Sequence, residues 1–181
     1  MATKKNPASW SNVKSKLADF DRAGLLGLVH DLYASNKANQ TFLHARLSLG
    51  DDVLQPYKAI IDRWLWPDVF KNQDTSVAKA KKPIADFKKA IGQAQGLAEL
   101  MVFYCERAAG FSNDVGLQDD GYFDALVRMF EQALITVASL AVMQRQPLRE
   151  RLRTVHLICR NFGYGVSDDM GDFFVKYGTD D

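Results

Sequence analysis

The stretch LAELMVFYCERAAGF, Leu97 to Phe111, is apolar on nearly every side once wound into a helix, yet it carries Glu99, Glu106 and Arg107. Such a helix belongs at the centre of a fold. Its ionisable groups must be paired or placed at a cavity, because an unpaired charge in an apolar interior costs far more than a single contact returns. The rest of the chain must therefore supply neighbours for several faces of this segment.

The flanking sequence reads as those neighbours. Ser11 is placed to cap a first helix running to about Phe20, and Asp21 a second to about Ala34, in which Leu25, Leu28, Val29, Leu32 and Tyr33 recur at helical spacing. Asn36 can cap a third helix with Phe42, Leu43 and Leu47, ending at Gly50, and Asp51 or Asp52 starts a fourth that Pro67 stops after Trp64-Leu65-Trp66. These four read as two short antiparallel pairs. After Thr75, Val77, Ala80, Ile84, Phe87 and Ile91 fall at steps of 3, 4, 3 and 4, one apolar face opposite a lysine-rich one. Pro83 inside that segment is expected to kink or shorten it, since the ring removes a donor and crowds the preceding turn.

Gly92 and Gly96 bracket the turn into the apolar sixth helix, and a polar loop from Ser112 to Asp120 leads to a seventh that reaches about Leu140. The eighth opens near Pro147, read as a first-turn proline, and runs to Phe162. No sustained apolar–polar alternation argues for a strand. The expected fold is all-α, about eight helices in antiparallel hairpins, arranged as a bundle or a short superhelical stack. It reads as one domain over 1–181, with 1–10 and 166–181 as less ordered or peripheral ends.

Composition narrows the setting more than the function. At 181 residues a single domain buries roughly 70% of its extended-chain surface, so its core needs no staple. A net charge of +1 says nothing about polyanionic partners. Cys105 and Cys159, the two cysteines, each lie in an apolar helical stretch and read as small hydrophobes, which favours a reducing cytoplasm over a disulfide framework. The opening MATKKNPASW has lysines without a following apolar run, and no apolar run is long enough to span a bilayer. The expectation is a soluble cytoplasmic protein without a membrane partner or a cofactor.

Three segments, LVHDLYASNKANQTFLHARL, TSVAKAKKPIADFKKAI and LAELMVFYCERAAGFSNDVG, resemble a family of uncharacterised bacterial all-helical proteins. The resemblance covers roughly Lys14 to Leu140 and is most distinctive in the lysine-rich segment and the helix after it. It implies an all-helical fold and a bacterial origin. The family brings no activity, so it assigns no catalytic residue.

Several constellations carry chemistry. Glu99 and Glu106 are seven residues apart on one helix face with Arg107 beside the second, which suits either a carboxylate site or a polar seam paired to Arg107 or to lysines of the preceding helix. Di-iron bundles use a Glu-x-x-His signature, which is missing, and neither zinc spacing nor any other metal motif is present. The acidic loop Ser112 to Gly121 fails the calcium-loop register, because Gly116 at position 6 puts Phe111 at position 1. His30, His44 and His156 lie on separate helices, without a hydrolase elbow or phosphate-binding loop to join. Arg149, Arg153, His156 and Arg160 share one face of the eighth helix, opposite Leu148, Leu152, Val155, Cys159 and Phe162. Asp168, Asp169, Asp172, Asp180 and Asp181 follow and could fold back on that basic face. Trp64, Trp66 and Phe70 form the chief aromatic cluster, either core anchors or one wall of a groove.

The leading reading is a non-enzymatic protein or peptide interaction module, monomeric or homodimeric, whose groove between the lysine-rich helix and the sixth helix uses Lys79, Lys82, Glu99, Glu106 and Arg107. The alternative is nucleic-acid binding through Arg149, Arg153 and Arg160. A second alternative is a carboxylate-dependent metalloprotein or hydrolase centred on Glu99 and Glu106.

Overall fold

The computed structural model describes residues 8–50 and 52–177. Among them every regular element is helical: nine α-helices, two short 3-10 turns and no strand, an all-α helical bundle. By its contacts the chain divides into two units, Met1–Leu43 and His44–Asp181.

The first unit holds α1 (Trp10–Leu17), α2 (Arg22–Ser35) and the beginning of α3 (Lys37–Arg46). Its caps follow simple chemistry. Asn12 accepts from the Ser9 amide at 2.8 Å, so Ser9, not Ser11, is the first cap. The Asp21 carboxylate accepts from the Gly24 amide at 2.7 Å, and Asn36 from the Asn39 amide at 2.9 Å, both as the sequence suggested. No residue of α1 or α2 is buried.

The second unit contains the core. α4 (Gln55–Leu65) packs on α5 (Val77–Ala90) and α6 (Ala94–Val115), and α6 also packs on α7 (Asp120–Ala138) and α8 (Val142–Ile158). The central position expected for the apolar segment is thereby realised: Leu100, Val102, Tyr104, Cys105 and Ala109 of α6 are all sealed. At the end of α4 the Tyr122 hydroxyl donates to the Leu65 carbonyl at 2.9 Å, satisfying one of the acceptors that a helix leaves open at its C-terminus.

Several boundaries differ from the sequence reading, each for a local reason. The fourth helix begins at Gln55, with Asp52 accepting from the Leu54 and Gln55 amides ahead of it; Asp51 lies outside the described residues. α5 runs unbroken through Pro83, whose ring is buried in the core. Ser112 to Val115 are still helical, so the loop is only the turn from Gly116, at φ +64°, to Asp119, which caps α7 by accepting from Tyr122 at 2.7 Å. Pro147 lies in the interior of α8, five residues past its first residue.

The sequence reading also stops one helix short. α9 (Val166–Tyr177) buries Val166 and Met170 and docks on α7, where Phe174 meets Phe130 edge-on with ring centroids 5.4 Å apart. Val166–Tyr177 is thus part of the bundle, although the sequence suggested a peripheral end. None of the described helices is long and apolar enough to cross a membrane.

Candidate functional site

The charges inside α6 are paired, but not with the partners nearest in sequence. Arg151 of α8 lays its guanidinium between the two glutamates, donating from Nη1 to Glu99 at 2.6 Å and from Nε and Nη2 to Glu106 at 2.7 Å each. The other Glu99 oxygen takes Lys58 Nζ of α4 at 2.7 Å. Two cations therefore face two carboxylates, with both oxygens of each acid occupied. Burial works to raise the Glu99 carboxyl, but the hydrogen bonds from Arg151 and Lys58 outweigh it and hold its pKa below the usual glutamate range. Arg151 is pushed further up, chiefly by its hydrogen bonds to Glu106. Glu99 thus stands ionised and saturated.

Arg107 has a different partner, Asp62 of α4, and stacks its guanidinium 3.9 Å from the Trp66 ring. The sequence reading offered Arg107 or the α5 lysines as partners for the glutamates, and both are replaced by Lys58 and Arg151. Lys79 lies 4.0 Å above the Trp64 ring, and Lys82 reaches Asp86 on its own helix at 3.7 Å. The five residues assigned to one groove are thus distributed over the aromatic end of α4, the outer face of α5 and the seam between α6 and α8.

The arginines of α8 do not form one exposed stripe. Arg149 is buried at 8% exposure, Arg153 stands 3.7 Å from Glu150, and Arg160 is exposed in the 3-10 turn Cys159–Asn161. His156 faces α9, with Nε2 3.0 Å from the Ser167 carbonyl oxygen and its ring 5.7 Å from that of Phe174. The fold-back expected of the acidic segment is carried in the described residues by the backbone and rings of α9. Asp180 and Asp181 lie outside them.

A hollow of about 460 Å³ opens on the same ion-pair seam. Its walls come from Val53 and Leu54 ahead of α4, Phe87 and Ile91 at the end of α5, and Met143 and Leu148 of α8. Glu99 and Arg151 line it, and the amides of Gln93, Gln95 and Gln144 stand at its polar side, Gln144 donating to Gln95 at 2.9 Å. Two backbone features shape it. A Cβ on Gly96 would sit 2.5 Å from Phe87 Cζ, so glycine lets that ring press onto the first turn of α6. Pro147 has no amide to give the Met143 carbonyl, which leaves that acceptor without its helical partner beside the opening.

Of the residues proposed from sequence, only Glu99 lines this hollow. Arg151 escaped notice because its partners are 45 and 52 residues away. A signal was present: it falls three residues after Leu148 and four before Val155, on the buried stripe of its own helix.

Among the described residues no group of three or more His, Cys, Asp or Glu side chains is arranged to hold a metal ion. Cys105 and Cys159 are buried free thiols. Burial raises Cys105 well above its ordinary value and Cys159 to about 12, so both remain protonated and unreactive. Comparison with protein-family models, with curated proteins and with solved structures finds no match to this chain.

Proposed function

We propose that the second unit is a binding module that takes a short, uncharged, largely apolar peptide segment in the hollow between α5, α6 and α8. The observation that carries this reading is the saturated seam beneath an apolar opening. Glu99 and Arg151 are committed to one another, so the wall they form offers an incoming ligand little net charge. The apolar side chains around them favour one or two hydrophobic side chains, while glutamine amides, each both donor and acceptor, match the peptide bond. The same saturation speaks against Glu99 or Glu106 as an acid, a base or a metal ligand. Placement in a reducing bacterial cytoplasm accords with the two free buried thiols and with the resemblance of the sequence.

The test is selection of a displayed random-peptide library on the full chain, followed by calorimetric titration of the enriched peptides. Met143→Glu and Ile91→Glu add charge at the opening, at positions outside the sealed core. Each is expected to weaken binding by about tenfold or more, equivalent to about 1.4 kcal/mol. Failure to enrich any sequence, or enriched peptides that bind both variants as they bind the parent, would reject the reading.

A further inference from the structure

α8 carries a proline that packing does not explain. A proline ring in the interior of a helix removes one amide donor and crowds the carbonyl four residues back, which makes it the costliest residue there. Pro83 of α5 is buried, and its ring contributes to the core. Pro147 of α8 is exposed, so no such burial offsets its cost. What surrounds it is the hollow, which Met143, Gln144, Pro147 and Leu148 all line. Carbonyls of an α-helix point toward the residue four further on, so the Met143 oxygen is aimed at Pro147, which has no N–H to give. Met143 and Pro147 are one turn apart on one face of α8, and this acceptor lies between them.

We propose that the Met143 carbonyl oxygen is the acceptor for one main-chain N–H of the segment held in the hollow, and that Pro147 is the positioning residue that keeps this acceptor open. The inference rests on the reading of the hollow as a peptide site and adds a point of recognition to it. A secondary amide satisfies the oxygen; a proline or an ester at the same place in the segment has nothing to donate. The apolar walls from Leu54, Phe87 and Ile91 take many side chains, whereas a fixed acceptor sets how the main chain lies across them. Because binding exchanges a hydrogen bond with solvent for one with the segment, the expected effect is about three- to tenfold in affinity.

Nuclear magnetic resonance titration of the full chain with N-acetyl-leucine methylamide tests this, followed at the carbon-13 resonance of the Met143 carbonyl and at the amides of Ile91 and Leu148. Two further probes each remove one N–H: the methyl ester of N-acetyl-leucine, and the methylamide of N-acetyl-N-methyl-leucine. The parent should bind the methylamide with a downfield shift of the Met143 carbonyl. One of the two deletions should abolish that shift and weaken binding about three- to tenfold. Pro147→Ala restores the amide that the helix would use, so the carbonyl should already stand downfield and the methylamide should lose its advantage over that weaker analogue. A Met143 carbonyl that stays still while Ile91 and Leu148 respond overturns the inference and leaves the hollow as a peptide site. So do three probes of equal affinity in the parent, or discrimination that persists in Pro147→Ala. Silence at all three positions overturns the inference together with the peptide reading.

Discussion

α2 and α6 are both apolar helices interrupted by glycine, yet eleven residues of α6 are buried and none of α2 is. The difference lies in what surrounds them. α6 is flanked by α4, α5, α7 and α8, which seal its apolar residues and bring Lys58 and Arg151 to its two glutamates. Within the first unit α2 has no comparable set of neighbours. An apolar pattern records a need for burial; only additional helices meet it.

The largest test of this contrast is a pair of leucine truncations. Leu100→Ala in α6, where the side chain is fully sealed, should destabilise the protein by about 2–5 kcal/mol, because the cavity adds to the lost transfer energy. Leu28→Ala in α2, measured by urea denaturation in the same way, should cost less than about 0.5 kcal/mol. Comparable losses would mean that α2 is as well packed as α6.

Arg151→Met sharpens the comparison from the polar side. It removes both of the hydrogen bonds that Arg151 gives Glu106 and leaves Glu99 with Lys58 alone. Removing one partner of a buried network costs about 3–5 kcal/mol. With a third of the Arg151 side chain exposed, water relieves part of that, and a loss of about 2 kcal/mol in denaturant titration is expected. A neutral result would show that the seam specifies geometry without stabilising it.

Glu99 supplies a pH dependence of known sign. Its folded pKa is depressed, so its contribution is fully present above the unfolded value of 4.5 and is lost as pH falls through the lower folded value. Denaturation of the parent and of Glu99→Gln should therefore differ most near neutral pH. The gap should begin to close below about pH 4.5, as the unfolded glutamate starts to bind a proton. A gap that stays constant down to about pH 3 would remove Glu99 from the acid response.

The smallest expected effects come from one substitution made in both regions. A Cβ on Gly110 of α6 would lie 2.5 Å from Trp66 Cζ3, so Gly110→Ala must push the indole off the helix, costing about 1 kcal/mol and shifting tryptophan emission to the red. A Cβ on Gly27 of α2 meets nothing within 4 Å. Gly27→Ala should instead strengthen its helix by somewhat less than about 1 kcal/mol, read as slower amide exchange in α2. Matching signs at the two glycines would contradict the packing difference.

Much of the fold is local and was therefore legible. Asp21 and Asn36 cap where their spacing to the first apolar turn suggested, and the steps from Val77 to Phe87 mark the face that α5 buries. Proline misled at both helices because its cost depends on context. Pro83 is accommodated within a packed helix, and the acceptor that Pro147 deprives of its usual helical donor belongs to exposed Met143, not to the core. α9 was overlooked because Asp168, Asp169 and Asp172 dominate its polar face, while the anchors Val166 and Met170 are only two buried side chains.

The sequence by itself determined the all-helical class, the central place of Leu97 to Phe111 and the demand that Glu99 and Glu106 be neutralised, since periodicity, capping and the cost of buried charge are properties of a segment and its own neighbours. The tertiary structure decided who neutralises them, that a hollow opens beside the pair, and that Arg107 turns instead to Asp62 and Trp66. Ion pairs act over a few ångströms in space, and residues 52 positions apart become neighbours only once α8 has packed against α6.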